Sequence, residues 1–401
     1  MSDERETPGS ASGLGAMLRE QGRKLAQGES STLLVLIMVA VIWTFFWFQN
    51  PRFLSPGNLT NLMLQQSAVA TISLGVVLIL LLGWIDLSVG AVSGLCASVM
   101  AVLLVSRGVP GVVTVLVALA LGALIGLFNG FMVTRFRIPA FIITLAVSLT
   151  LVGFQLLVLG ETGTVNLSDP FITGLTSTFF PPLVGWIVAA AALALMLGVS
   201  LRGRARRQAA GLTVEPMRTL IFRVAAAGAA LAAMVFVVNQ DRGLPLVVVI
   251  VLGLTLALAY LTERTRFGRH LFAIGGNAEA ARRAGIKIDH VRIVAFVLCS
   301  ALAAFGGVLA ASRLYAVNQS SGSSDLVLMA IAGPVVAGTS LFGGRGSAWT
   351  AILGAIVIGS IANGMNLLAF PSSVKFIVTG AVLIVAVTIE ALTRMRRQGQ
   401  A

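Results

Sequence analysis

Charge is what this chain has least of. Asp, Glu, Lys and Arg make up 11 % of its 401 residues, against about 25 % in a soluble globular domain. That shortage excludes a water-soluble fold. Acidic residues number 15, histidines 2 and cysteines 2. No enzyme site can be assembled from so few reactive side chains: His270 and His290 share one polar stretch, and no HExxH is present. Cys96 and Cys299 sit within apolar runs, where a small core residue is the ordinary reading rather than a disulfide or metal ligand. No catalytic residue, metal or cofactor is expected. "GTSLFGGRGS" (338–347) approaches a phosphate-binding loop, but Gly344 and Arg345 stand where Lys and then Ser or Thr are required. Without the lysine, no charge meets the phosphates. A cleavable leader is not expected either, because residues 1–30 are polar throughout.

What fills the chain instead is apolar: 57 % hydrophobic residues and a mean hydropathy of +0.96. About 20 such residues cross the roughly 30 Å hydrocarbon core of a bilayer. Runs of that kind recur at 33–49, 62–82, 87–105, 111–133, 139–159, 183–200, 220–238, 244–261, 291–311, 324–341, 347–368 and 374–391. The expected fold is therefore all-α and integral to the membrane, a polytopic helical bundle of about twelve transmembrane helices. With the N-terminus in the cytoplasm and one crossing per run, all but Arg52, Arg107, Arg242, Arg313 and Lys375 of the 28 Lys and Arg fall inside. The positive-inside rule demands that bias, and it puts both termini in the cytoplasm. The net charge of +13 does not point to nucleic acid, because the cations lie in short segments between apolar runs without aromatic interleaving. The chain then divides into a cytoplasmic tail at 1–30, a transmembrane domain at 31–393 and a second tail at 394–401. Its largest cytoplasmic loops are 201–219 and 262–290.

Among the acidic residues, Asp86 in "LLGWIDLSVG" lies deepest between apolar runs. A carboxylate there needs a partner or a functional reason. Two readings stand: it caps a helix starting at Leu87, or it touches a transported solute. One such carboxylate is thin for a proton-coupled carrier. Neutral groups are more plentiful, with Ser88, Gln65, Gln66, Asn129, Gln155, Asn363 and Asn366 in or beside apolar runs. They suit a neutral, hydroxyl-rich solute, and they equally suit helix-to-helix hydrogen bonds.

The polar stretch "FGRHLFAIGGNAEAARRAGIKID" (267–289) interrupts this pattern. Asn277 is a good N-cap, 278–284 are strong helix formers, and Gly285 occupies the C′ position. Glu279 in the first turn and the arginines in the last suit the helix dipole. Two turns alone are unstable in water. The helix must pack on the chain's own inner surface or on a partner.

Four blocks, "GWIDLSVG" (83–90), "GLFNGFMVTRFRIPAFIITLAVSL" (126–149), "FGRHLFAIGGNAEAARRAGI" (267–286) and "GPVVAGTSLFGGRGS" (333–347), resemble the permease subunits of bacterial ABC importers for simple sugars. The blocks come in the family's order, and the likeness runs from about residue 57 to 391. The additional helix pair at about 183–238 resembles the xylose-type branch rather than the shorter ribose type. By resemblance, two copies of the permease form the pathway, an ATP-binding ATPase subunit docks beneath, and a periplasmic sugar-binding protein delivers a monosaccharide from above. The solute this implies is a pentose such as D-xylose, with ribose, another sugar, a nucleoside or a branched-chain amino acid as alternatives. The resemblance gives the 262–290 loop the coupling role and makes Gly276, Asn277, Glu279, Ala280, Arg282 and Gly285 ATPase contacts. Trp84 is a departure, since the usual motif reads GGIDLSVG. Outside this family, an ATP-independent transporter or channel and a non-transporting scaffold remain as readings.

Overall fold

A computed structural model describes residues 31–398 apart from 213 and 215. The two expected tails therefore lie outside the described residues, except for 394–398. A helix stands on each of the twelve apolar runs. In chain order these are α1 (Ser31–Gln49), α2 (Pro56–Leu81), α3 (Val89–Arg107), α4 (Gly111–Phe136) and α5 (Ala140–Leu159). There follow α7 (Pro182–Ala209), α8 (Met217–Asn239), α9 (Leu246–Arg264), α12 (Ile288–Leu314), α13 (Ser324–Val336), α14 (Trp349–Leu367) and α15 (Ser372–Gln398). Three short helices sit between them: α6 (Pro170–Ser177), α10 (Arg266–Gly276) and α11 (Ala278–Arg283). Among the described residues, nine helices are long and apolar enough to cross a bilayer, and three further apolar segments, Leu34–Gln49, Ser324–Val336 and Ser372–Val385, are shorter.

Proline sets many of the helix starts. Pro56 and Pro182 occupy the first turn of α2 and α7, and Pro110, Pro139, Pro216 and Pro245 immediately precede α4, α5, α8 and α9. A missing N–H costs nothing where no carbonyl precedes to accept it. The expected run 324–341 ends as a helix at Val336. The apolar residues continue, but Gly338 takes φ +101° and turns the chain. The run at 374–391 is extended instead: α15 continues to Gln398, into the expected tail.

α12 is the hub, packed along α2, α3 and α4. Small residues permit the approach. A Cβ on Gly126 would stand 2.4 Å from the Phe296 carbonyl oxygen, and on Gly122 and Gly130, one turn to either side, 2.7 Å from the Ser300 carbonyl oxygen and 2.9 Å from Ile293 Cα. This stripe of glycines at every fourth position is the small-residue interface that brings membrane helices together. Burial follows the same layout. Of the most apolar stretch of α2, 89 % is buried inside the protein, against 11 % for α7 and for α8. The additional pair α7–α8 is thus peripheral, packing on itself and touching the bundle through α2 and a small strand pair.

Two antiparallel strand pairs add a small β component to the expected all-α fold. β1 (Thr164–Asn166) pairs with β4 (Ala316–Asn318), and β2 (Phe179–Phe180) with β3 (Leu244–Pro245). Both lie at one end of the bundle. The opposite end gathers the turn 82–88, the connection 137–139 with Arg137, the end of α7 with Arg202, Arg206 and Arg207, the segment 265–287 and the loop 337–348.

Candidate functional site

At the arginine-rich end, the chain leaves α9 and builds two short helices before entering α12. The Thr265 hydroxyl accepts from the Gly268 amide at 3.3 Å and starts α10, which buries Leu271 and Ile274. α11 carries the cap expected of it: Asn277 Oδ1 accepts from the Ala280 amide at 2.9 Å. At its other end Gly285 takes φ +82°, and its amide donates to the Arg282 carbonyl at 2.9 Å. Glu279 and Arg283 pair at 3.4 Å on the exposed face, one turn apart. Ala281 alone in this helix is buried, and it joins the main core. The short helix thus packs on its own chain through two small side chains, Ala281 and the half-buried Ala278. Gly276, Asn277, Glu279, Ala280, Arg282 and Gly285 are all exposed.

Beneath it, three backbones meet with no side chain between them. The Leu81 carbonyl, at the end of α2, accepts from the Gly344 amide at 2.9 Å. A Cβ on Gly275 would fall 1.8 Å from that same Leu81 oxygen, and one on Gly343 would fall 2.8 Å from the Gly275 oxygen. Two of the resemblance blocks, 267–286 and 333–347, therefore lock onto the turn that opens a third. The segment α10–α11 thus abuts the end of α2 backbone to backbone.

The turn 82–88 holds a buried polar group. Asp86 Oδ1 accepts from the Ser88 amide at 2.8 Å and from the Ser88 hydroxyl at 2.6 Å. Asn129 Nδ2 of α4 donates to Ser88 Oγ at 3.0 Å, and the Leu87 amide donates to Thr144 Oγ1 of α5 at 3.1 Å. The turn is thereby tied to both neighbouring helices. Helix α3 starts at Val89 rather than Leu87, with Ser88 in the capping position and no side-chain cap of its own. Asp86 thus fixes the turn before the helix instead of the first helical amides. Burial pushes its carboxyl above the ordinary carboxylate range, opposed by the two bonds from Ser88. Asp86 Oδ2 and Asn129 Oδ1 are buried without a hydrogen-bond partner.

Arg292 and Phe296, which the sequence did not mark, complete this end around Trp84, which it did. The Arg292 guanidinium, near the start of α12, sits 4.2 Å from the centroid of the Trp84 ring. The same ring lies 6.1 Å from Phe296, tilted by 40°. The bulky residue that departs from the family's glycine is what the arginine covers.

Asn363 and Asn366 are not brought to this group. They lie at the far end of α14, where Asn363 Oδ1 accepts from Asn58 Nδ2 at 2.9 Å and Asn366 Oδ1 meets Lys375 Nζ. Gln155 belongs to that end as well, with Nε2 donating to the carbonyls of Asn318 at 3.1 Å and Ser321 at 2.9 Å. Each of these amides joins one element to another.

The model of the family described as the permease component of branched-chain amino acid transport systems matches residues 58–246 and 240–387. The xylose transport system permease protein XylH of Escherichia coli (strain K12) is 34 % identical over 364 residues, 91 % of this chain and 92 % of that one. Its namesake in Haemophilus influenzae is 32 % identical over 381 residues, 93 % and 99 % of the two chains. The ribose import permease protein RbsC of Escherichia coli (strain K12) is 30 % identical over 362 residues, 90 % and 93 %. No solved structure matches. A bundle of apolar helices, the four motif blocks in order and these matches along nearly the whole chain converge: this multi-pass membrane protein belongs to the permease family of ABC importers.

Proposed function

We propose that this chain is the membrane subunit of a sugar importer in the bacterial inner membrane, and that it moves a pentose, D-xylose before ribose, by alternating access. The observation that carries the reading is α11. It is a capped, largely exposed helix held by two alanines, Ala281 buried and Ala278 half-buried, and seated on a glycine-lined contact with the end of α2. Such a helix serves as a lever for a partner, and the fitting partner is an ATP-binding ATPase subunit at the cytoplasmic face. Gly276, Asn277, Glu279, Ala280, Arg282 and Gly285 form its contact surface. Hydrolysis belongs to that subunit, and this chain performs no covalent chemistry. Twelve crossings, cytoplasmic termini, a second permease copy across the pathway and a periplasmic sugar-binding protein at the other end complete the assembly. The preference for xylose rests on two permeases of that name and on the additional pair α7–α8. Asp86, Ser88 and Asn129 act as a fastening for the α2–α3 turn; Asn363 and Asn366 fasten the outer end.

The test is uptake of labelled xylose and ribose into proteoliposomes holding the permease, its ATPase and the binding protein. Uptake should require ATP, favour xylose, and lose its link to ATPase stimulation in Asn277→Ala/Glu279→Ala. Accumulation of sugar by the permease alone, without nucleotide, would overturn the reading in favour of a self-sufficient transporter.

A further inference from the structure

We infer that Arg292 and Trp84 form the joint that carries movement of the coupling helix into the Asp86 turn, which makes both of them positioning residues for transport. The inference rests on the coupling role proposed for α11. Arg292 sits one helical turn after the buried Ile288, where the segment 284–287, exposed except for the half-buried Ile286, enters α12. Its guanidinium lies over the Trp84 face at 4.2 Å, well inside the range in which a cation is held by an aromatic ring. The ring spans one turn of α12, from Arg292 to Phe296. Arg292 Nε is buried and has no hydrogen-bond partner. A guanidinium normally meets a carboxylate or carbonyl; here the group set against it is the face of Trp84.

Arg292 is tied to the lever by packing: Ala281 of α11 is buried in the same core as Ile288 and Val291 at the start of α12. Displacing α11 therefore moves the helix start that presses Arg292 onto the ring. Trp84 passes that change on because its turn is stiff. The Gly83 amide donates to the Leu80 carbonyl at 2.8 Å and the Trp84 amide to the Ile79 carbonyl at 3.1 Å. Two residues on, Asp86 and Ser88 bind the turn to α4 through Asn129. One stacked pair thus joins the start of α12 to the turn between α2 and α3, which Asn129 ties to α4.

The experiment uses the reconstituted complex with its ATPase and binding protein, and reads sugar moved per ATP hydrolysed. Arg292→Gln and Trp84→Ala should each lower that ratio by about 2- to 30-fold, the span of a cation–π contact at such a depth. Trp84→Phe, which keeps a ring, should restore most of it, and the double variant should be no worse than the more severe single one. Should Trp84→Ala fail to insert, the tryptophan emission assigned to Trp84 by difference from Trp84→Phe gives an independent readout. Nucleotide should shift that emission in the wild-type complex and leave it unmoved in Arg292→Gln. A wild-type ratio in both single variants, or losses that simply add in the double variant, would overturn the joint. Asn277→Ala/Glu279→Ala separates the two failures. If it uncouples while the Arg292 and Trp84 variants do not, only the joint is wrong; if it too keeps the wild-type ratio, the coupling reading falls with it.

Discussion

Ser88 binds Asp86 twice, by its amide and by its hydroxyl, and both bonds end on the same carboxylate oxygen. An asparagine can supply that one acceptor; a leucine cannot. Asp86→Asn should therefore keep the folded yield and much of the uptake. Asp86→Leu strands two buried donors at roughly 1–3 kcal/mol each and should lose protein from the membrane. Monodisperse yield in detergent and sugar uptake measure the two effects. Abundant Asn protein that transports nothing would assign the carboxylate to the solute path instead. At this scale the sequence was partly legible. A lone carboxylate between apolar runs announces a buried hydrogen-bonded group, and Ser88 and Asn129 do join it. Asn363 and Asn366 looked equivalent by composition, yet they stand at the other end. Helical periodicity says which residues share a face and nothing about which helix that face meets. Trp84 stood out only as a departure, because its partner Arg292 is far away in sequence.

For the elements, local chemistry was the most readable part. Asn277, Glu279 and Gly285 specify a short capped helix by propensity alone, and α11 follows them closely. Hydropathy placed neither the proline-marked start of α2 at Pro56 nor the end of α13 at Val336. The contact under α11 had no local signature, since Leu81, Gly275 and Gly344 come from three distant segments and meet through backbone atoms. A glycine there is read as a turn until its neighbour is known. Gly275 is thus a sharper probe of the lever than any exposed residue. Its Cβ would stand 1.8 Å from the Leu81 carbonyl oxygen, a contact that only backbone movement relieves, and overpacking of this kind costs about 1–3 kcal/mol or more. Gly275→Ala should separate α10 from α2, leaving the protein inserted but reducing uptake more than ATPase binding. Gly253→Ala, on α9 outside the proposed ATPase contact and with open space around its Cβ, should behave as wild type. Equal uptake in the two variants would show that the contact transmits nothing. The exposed cap makes the complementary case: Asn277→Ala removes about 0.5–2 kcal/mol from a helix of two turns, which has no stability to spare.

Across the whole molecule, the arginine distribution and the helix connections agree on two ends. One holds α10–α11 and the 337–348 loop, the other both strand pairs, and the polarity of the bundle decides which partner meets which end. The two native cysteines make this testable with little background, because Cys96 and Cys299 are both fully buried. Single thiols can be placed at exposed Ala284, beside the lever, and at exposed Ser320, beyond β4. A membrane-impermeant maleimide should label Ala284→Cys in inside-out vesicles and leave it untouched in spheroplasts, with Ser320→Cys giving the reverse. The positive-inside bias requires this orientation, and so does an ATPase that must find α11 in the cytoplasm. Labelling of Ala284→Cys from the outside would put the capped helix where no nucleotide-driven partner can reach it. The exposed cap, the glycine contact and the stacked Trp84–Arg292 pair would then be features of packing alone.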